Sequence, residues 1–377
     1  MSAQTARDTP LSAAPDVSRR GHTIVLPGQT PAGEYVLGVL LKRSYTIVPG
    51  GACVRSDADR KLVPGDKHWG DPMNTSVKWE SDFVPFKLAT DLVLNGTAHA
   101  PRGQPTTELL ATLQVGEYGK SVRVVGDRLA FYQEGATPVF SEPARFTTME
   151  LRYERAYGGV DIYSDPKVPC IYARNHLGRG FAVTNVRRAV DRLQLPNLED
   201  PGDPLTPERL TIGHFIHWEN QPMPAGFGWF LKYWRPRALY AGVMPADRAA
   251  ERELRQAYRK LVPKEQLAMY DQTGLPDIDF RFFNGASPGL VMPYLAGDEV
   301  VRTTHLSPEG QLHFRLPGEQ PRLALDIGHG PVQSETVLQT VMIHMDEREV
   351  DLVWRAAIPY EGPDSMQKIR KLEVQVS

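Results

Sequence analysis

Carboxylates with arginines beside them are the side chains best placed to do chemistry in this sequence. Glu80 and Asp82 stand two apart in KWESDF, a spacing that sends both to one face of an extended backbone. Glu150 and Glu154 follow in ELRYERAYGG. Paired across a β scaffold, two such groups could serve as the acid and base of a glycosidase. The neighbours argue the other way. Arg152 and Arg155 flank Glu154; an adjacent cation favours the ionised carboxylate, whereas an acid catalyst must hold its proton. Glu80, Asp82, Arg152, Glu154 and Arg155 therefore read as ion pairs tying the sheet to its last strand, and no catalytic residue is assigned. Asp277, Asp279 and Arg281 in PDIDFRFFN read the same way, as turn-forming carboxylates beside an anchoring arginine.

Other chemistries find less support. Tyr118-Gly119-Lys120-Ser121 ends like a phosphate loop, but the glycine required five residues before Gly119 is replaced by Gln114. No dinucleotide fingerprint and no nucleophile elbow is read in the chain, so no cofactor is implied. His214 and His217 in HFIHW would suit a metal on a helix, yet a strand points them to opposite faces. With Glu219 as the only nearby carboxylate, no metal site is assigned. The aromatics Trp218, Phe227, Trp229, Tyr233 and Trp234 are the candidates for binding a partner, because such side chains supply most interface hot spots. Trp218, Trp229, Tyr233 and Trp234 could instead stack on a sugar, or form the core of an irregular lobe.

The elements that must position these residues are mostly strands. Tyr35–Val48 carries Leu37, Val39, Leu41, Tyr45 and Ile47 on one face, and Pro49-Gly50-Gly51 ends it. From Leu92 to His99 a period of two runs with apolar residues on both faces. Thr107–Val115, a turn at Gly116–Gly119, Lys120–Val125 and Arg128–Tyr132 continue a β-meander, with Phe146–Arg155 as its last strand. Val160–Gly242 is rich in proline, glycine and aromatics and reads as short strands and turns wrapped over the sheet. Ala246–Leu261 is the one helix, with Ala250, Leu254, Tyr258 and Leu261 on a narrow stripe and Pro263 as its stop. Strands return at Arg322–Ile327, Val337–Met345, from Val350 onward, and at Ile369–Val376.

The expected fold is mainly β: a β-sandwich or barrel-like meander with an irregular aromatic-rich lobe and one surface helix. It divides into a disordered lead-in at 1–20, an N-terminal β domain at 21–160, the lobe at 161–290, and a C-terminal β region at 291–377 that packs on the first.

A net charge of −2 provides no field to attract nucleic acid or anionic lipid. The first twenty residues hold no apolar run that could act as a signal peptide or membrane span, so a cytoplasmic protein is expected. Cys53 and Cys170 read as free thiols.

Several blocks carry a resemblance. ESDFVPFK, TDLVLNGTAHAP, VGDR, LRYERAYGG, GRGF, LPNLEDP, PAGFG, RFFNGASP and YLAGDE occur in this order across roughly residues 21 to 318. They resemble a bacterial family of unknown function whose genes accompany the type VI secretion spike. The resemblance implies a non-catalytic adaptor or chaperone that loads a toxic effector onto the VgrG/PAAR spike. Its implied partners are that effector and the spike proteins, with no nucleic acid and no membrane. The alternative is a carbohydrate-binding or carbohydrate-active β-sandwich protein.

Overall fold

The computed structural model describes residues 22–30, 34–135, 137–165, 167–183, 187–210, 221–241, 279–360 and 369–376. Its main strands are β1 (Thr23–Gln29), β2 (Tyr35–Thr46), β3 (Thr90–Asn95), β4 (Glu108–Val115), β5 (Tyr118–Val125), β6 (Val300–Thr304), β7 (Gln311–Arg315), β8 (Pro321–Asp326), β9 (Pro331–Glu335), β10 (Val337–His344), β11 (Glu349–Pro359) and β12 (Lys371–Val376). The fold is mainly β, in several open sheets rather than a closed barrel.

The central sheet runs β1-β2-β11-β10-β3 and ends on the two-residue strand Val291–Met292. Strands from both halves of the chain are thus hydrogen-bonded neighbours. β3 lies parallel to β10, with Leu92 opposite Val341, and the other pairs are antiparallel. A second, five-stranded antiparallel sheet holds β5, β4, β6 and β7, with Leu198–Glu199 outside β5. Its β4–β5 hairpin turns at Gly116, whose φ of 57° is the left-handed conformation glycine adopts at no steric cost. A third sheet, β9-β8-β12, completes the frame.

β2 shows why the central sheet is buried on both faces. Its odd residues Leu41 and Tyr45, with Ile47 beyond its end, join a core with Leu113, Val122 and Phe314 of the second sheet. Leu37 and Val39 pack instead on Leu323 and Leu325 of the third. The even face carries Leu40 and then polar groups, and it is closed off by the loop that contains Leu62 and Phe83.

Two expected strands are shorter than their patterns. The run from Leu92 stops at Gly96; a β-carbon there would lie 3.0 Å from that of Met345, and the following Thr97–His99 leaves the central sheet to pair with Thr148–Glu150. The strand expected over Phe146–Arg155 ends at Glu150, and Tyr153–Arg155 forms a 3-10 turn. That turn drives the Tyr153 ring edge-on against Phe230 and Trp234, at 5.4 and 5.1 Å between centroids. Among the described residues the α-helix is a single turn, Arg187–Val190. The helix expected over Ala246–Leu261 lies outside the described residues, as do His214, His217, Trp218, Glu219 and Asp277.

The even-residue face of β2 and the neighbouring Asp351 of β11 and His344 of β10 form a buried polar cluster. Lys42 Nζ lies 3.2 Å from Asp82 Oδ2 and 3.9 Å from Asp351 Oδ2. Ser44 Oγ donates to Asp351 Oδ1 at 2.6 Å, and His344 Nε2 is 3.1 Å from Oδ2. Burial alone would raise the Asp351 pKa. The His344 hydrogen bond, the Lys42 and His344 charges and the Ser44 hydroxyl outweigh it and bring the carboxyl down to about 2. A depressed folded-state pKa contributes stability above the ordinary value of 3.8, and that contribution disappears as pH falls through the folded one. The protein should therefore lose about 2 kcal/mol between about pH 4 and pH 2 from this group. Asp351→Asn should flatten that part of the acid limb in urea titrations. An unchanged limb would assign the titration to another group.

Candidate functional site: an apolar groove beside the sheet edge

Glu80, after the strand Val77–Trp79, forms a two-pronged ion pair with Arg237 of the aromatic lobe: Nη1 to Oε2 at 2.9 Å and Nη2 to Oε1 at 2.6 Å. The same guanidinium donates to the carbonyls of Phe230 and Phe282, at 2.6 and 2.8 Å. Both charged groups are buried. Gly285 lies directly against the pair; a β-carbon there would sit 2.1 Å from Glu80 Oε2 and 2.4 Å from Arg237 Nη1. Only glycine lets the backbone come so close.

A second buried cluster adjoins it. Asp91 on β3 is fully buried, and its carboxylate accepts from the amides of Gly285 and Ala286 at 3.1 and 3.2 Å and from Asn284 Nδ2 at 3.2 Å. Lys87 donates to Asp91 and, at 3.1 Å, to Thr340 Oγ1 on β10, and its ammonium lies 5.0 Å from the Trp229 ring centroid. Two of the resembling blocks, ESDFVPFK and RFFNGASP, are therefore fastened to each other and to the lobe through satisfied buried charges.

Between them lies a cavity of about 320 Å³, lined among others by Leu88, Phe230, Tyr240, Ala286, Pro288 and Val291. Leu88 and Val291 are 41% and 40% exposed at its mouth. Among the described residues Val291–Met292 is the last strand of the central sheet, so the groove adjoins a sheet edge. Arg281, held by Asp279 and stacked on Tyr240 at 4.4 Å, forms its charged rim. A mostly apolar concavity with a few fixed polar groups is suited to taking up a side chain.

The aromatics named from the sequence divide sharply. Phe227, Trp229 and Trp234 are buried in the main core, so the expectation that they present a binding surface is corrected. They join the core that Leu94 and Val341 of the central sheet share with Leu113 of the second. Tyr233 is 55% exposed, with His176 beside it at 5.6 Å between ring centroids.

The five charged residues do not form one network. Glu80 pairs with Arg237 and, at 3.5 Å, with Lys232. Asp82 belongs to the Lys42 cluster and also accepts from the Val63 amide at 2.7 Å. Glu154 accepts from the Ser76 amide and hydroxyl at 2.8 and 2.7 Å, and Arg155 donates to Asn197 at 3.3 Å. Arg152 pairs with half-exposed Glu150 at 2.9 Å and stacks over Trp69 at 4.1 Å. A pair that open to solvent is worth at most about 1 kcal/mol.

One pattern escaped the sequence reading. Gly285-Ala286-Ser287-Pro288-Gly289 spells the G-x-S-x-G of a nucleophile elbow. Its glycines have other causes here: Gly285 makes room for the Glu80–Arg237 pair, and Gly289 turns the chain at φ 85°. Ser287 is fully buried and is not among the residues with positive φ. Lys120 donates to its hydroxyl and, at 2.7 Å, to the Pro288 carbonyl. Burial brings that lysine down to about 8. The Gly119-Lys120-Ser121 motif thus sits on a strand and anchors the turn that builds the groove.

No curated protein and no solved structure matches the chain. A protein family described as an uncharacterized protein conserved in bacteria (DUF2169) matches residues 32–355, which contain every residue of the groove, and the chain belongs to that family.

Proposed function

We propose that this protein is a non-catalytic adaptor that holds a secreted effector in the cytoplasm and brings it to the type VI secretion spike. The spike proteins VgrG/PAAR are its second partners in this reading. The observation that carries it is the apolar groove at the edge of the central sheet, walled by Leu88 and Ala89 just after the block ESDFVPFK, by the block RFFNGASP and by Phe230, Arg237 and Tyr240 of the lobe. An adaptor needs apolar surface that is stable without its client, and a concavity framed by buried ion pairs supplies it. A client side chain entering the groove would be held beside Val291, where backbone groups at the sheet edge offer hydrogen bonds. The sugar-binding alternative has less support: Trp229 and Trp234 are buried, and Lys78 and Arg152 already lie over the ring of Trp69.

The test is co-purification with the effector encoded beside this gene. Leu88→Asp and Val291→Asp place a charge at the groove mouth on side chains that are substantially exposed. Each should lower retained effector about tenfold or more with the melting temperature unchanged. A stable wild-type protein that never retains the effector, yet processes a small substrate, would sink the adaptor reading.

A further inference from the structure

Val160–Asp161 and Cys170–Ile171 form a two-stranded antiparallel ribbon, with Val160 opposite Ile171 and Asp161 opposite Cys170. Its polarity is inverted. Asp161 is 3% exposed and accepts from the amides of Tyr163, Ser164 and Val183 at 2.8, 3.0 and 2.8 Å. Cys170 packs against the small core around Tyr172 and Phe181. The side chains left outside are Val160, Ile162, Tyr163, Val168 and Ile171, between 42% and 62% exposed. A ribbon with one solvated face ordinarily keeps its polar residues there. Five of the fifteen exposed large apolar side chains among the described residues are gathered in these twelve positions, so the surface is a patch and not scatter.

The rim of the patch is basic. Arg188 donates twice to the Tyr163 carbonyl, at 3.1 and 2.8 Å, which fixes its guanidinium against the ribbon. Arg187 stacks on Tyr132 at 4.1 Å and reaches the Gly135 carbonyl. Among the described residues these donors meet carbonyl groups, so both guanidinium charges keep their full attraction for an acid. Asp165, the exposed acid of the ribbon, accepts from the Lys167 amide at 2.9 Å.

We propose that this ribbon is a docking surface for a protein partner presenting an apolar face bordered by carboxylates. Charge selects that occupant. A second copy docked face to face through this patch would bring two basic rims into one interface, and like charges brought together cost affinity. An anionic membrane is the other surface that attracts arginines, but insertion into lipid favours an amphipathic helix carrying Trp, Phe and Leu, and this patch is a two-stranded ribbon of mostly β-branched residues. The flat, β-branched face of Val160, Ile162 and Ile171 is suited to packing on another protein's ordered surface. The ribbon shares no residue with the groove, so the two surfaces can be tested separately.

A photo-reactive amino acid placed at position 168 of the full chain, in the bacterium that makes it, reads the occupant directly. The expected result is one dominant adduct to a different protein, joined at an apolar segment flanked by carboxylates. Its yield should fall about tenfold in Ile162→Ser/Ile171→Ser and in Arg188→Glu, with unchanged melting temperatures. Arg188→Gln serves if the charge reversal fails to fold. Leu88→Asp in the groove should leave the adduct intact. Adducts to a second copy, co-sedimentation with phosphatidylglycerol vesicles in place of a protein adduct, no adduct, or a yield indifferent to Arg188 would each overturn the proposal.

Discussion

Arg237→Ala should destabilise the protein by about 3–5 kcal/mol, the range for leaving one member of a buried ion pair without its partner. Glu80 is 5% exposed and, among the described residues, would keep only Lys232, 3.5 Å away, as a cation. The substitution also strips the Phe230 and Phe282 carbonyls of their guanidinium donor. Because Arg237 also lines the groove, the loss of stability and the loss of its wall come together. Urea denaturation measures the effect. Replacing both partners by Leu should recover part of it, since the desolvation of two charges disappears with them. A cost below about 1 kcal/mol for Arg237→Ala would mean that water reaches the pair and screens it.

Trp234→Ala should cost a similar amount, about 3–5 kcal/mol, by opening a cavity in the main core. Trp234 is 1% exposed and meets Tyr153 and Phe230 edge-on, each at 5.1 Å between centroids. Its sequence neighbour is the control. Tyr233→Ala removes a ring that is 55% exposed, and a surface substitution of that kind stays within about 0.5 kcal/mol. Thermal melts of the two variants therefore separate the core aromatics from the surface one. Near-equal melting temperatures would mean that Trp234 does not fill the core as described. Effector retention by Tyr233→Ala then reports on the exposed face of the lobe without interference from unfolding.

Local pattern was enough for the strands. The alternation in Tyr35–Thr46 and Val337–His344, and the hairpin around Gly116, depend on side-chain period and turn chemistry, both written in neighbouring residues. The same logic excluded a phosphate loop at Lys120, because a strand cannot offer a helix N-terminus to a phosphate. Pattern overextended the strands at Gly96 and at Tyr153, where the chain changes partners to suit residues far away in sequence.

The groove was not legible. It needs Leu88, Tyr240 and Val291 to meet, and their proximity follows from β3 lying between β10 and Val291–Met292. Aromatic spacing marked residues 227–234 as important and left open which rings face water. Tertiary packing decided that: Phe227, Trp229 and Trp234 turned inward and Tyr233 outward. The charged residues divide the same way. Sequence read Glu80, Asp82 and Glu154 as members of one ion-pair network, with arginines flanking Glu154 favouring its charged form. It could not name Arg237, Lys42 or Ser76 as their partners, since a buried charge takes whichever complement the fold carries to it, and those complements come from as far as 157 residues along the chain.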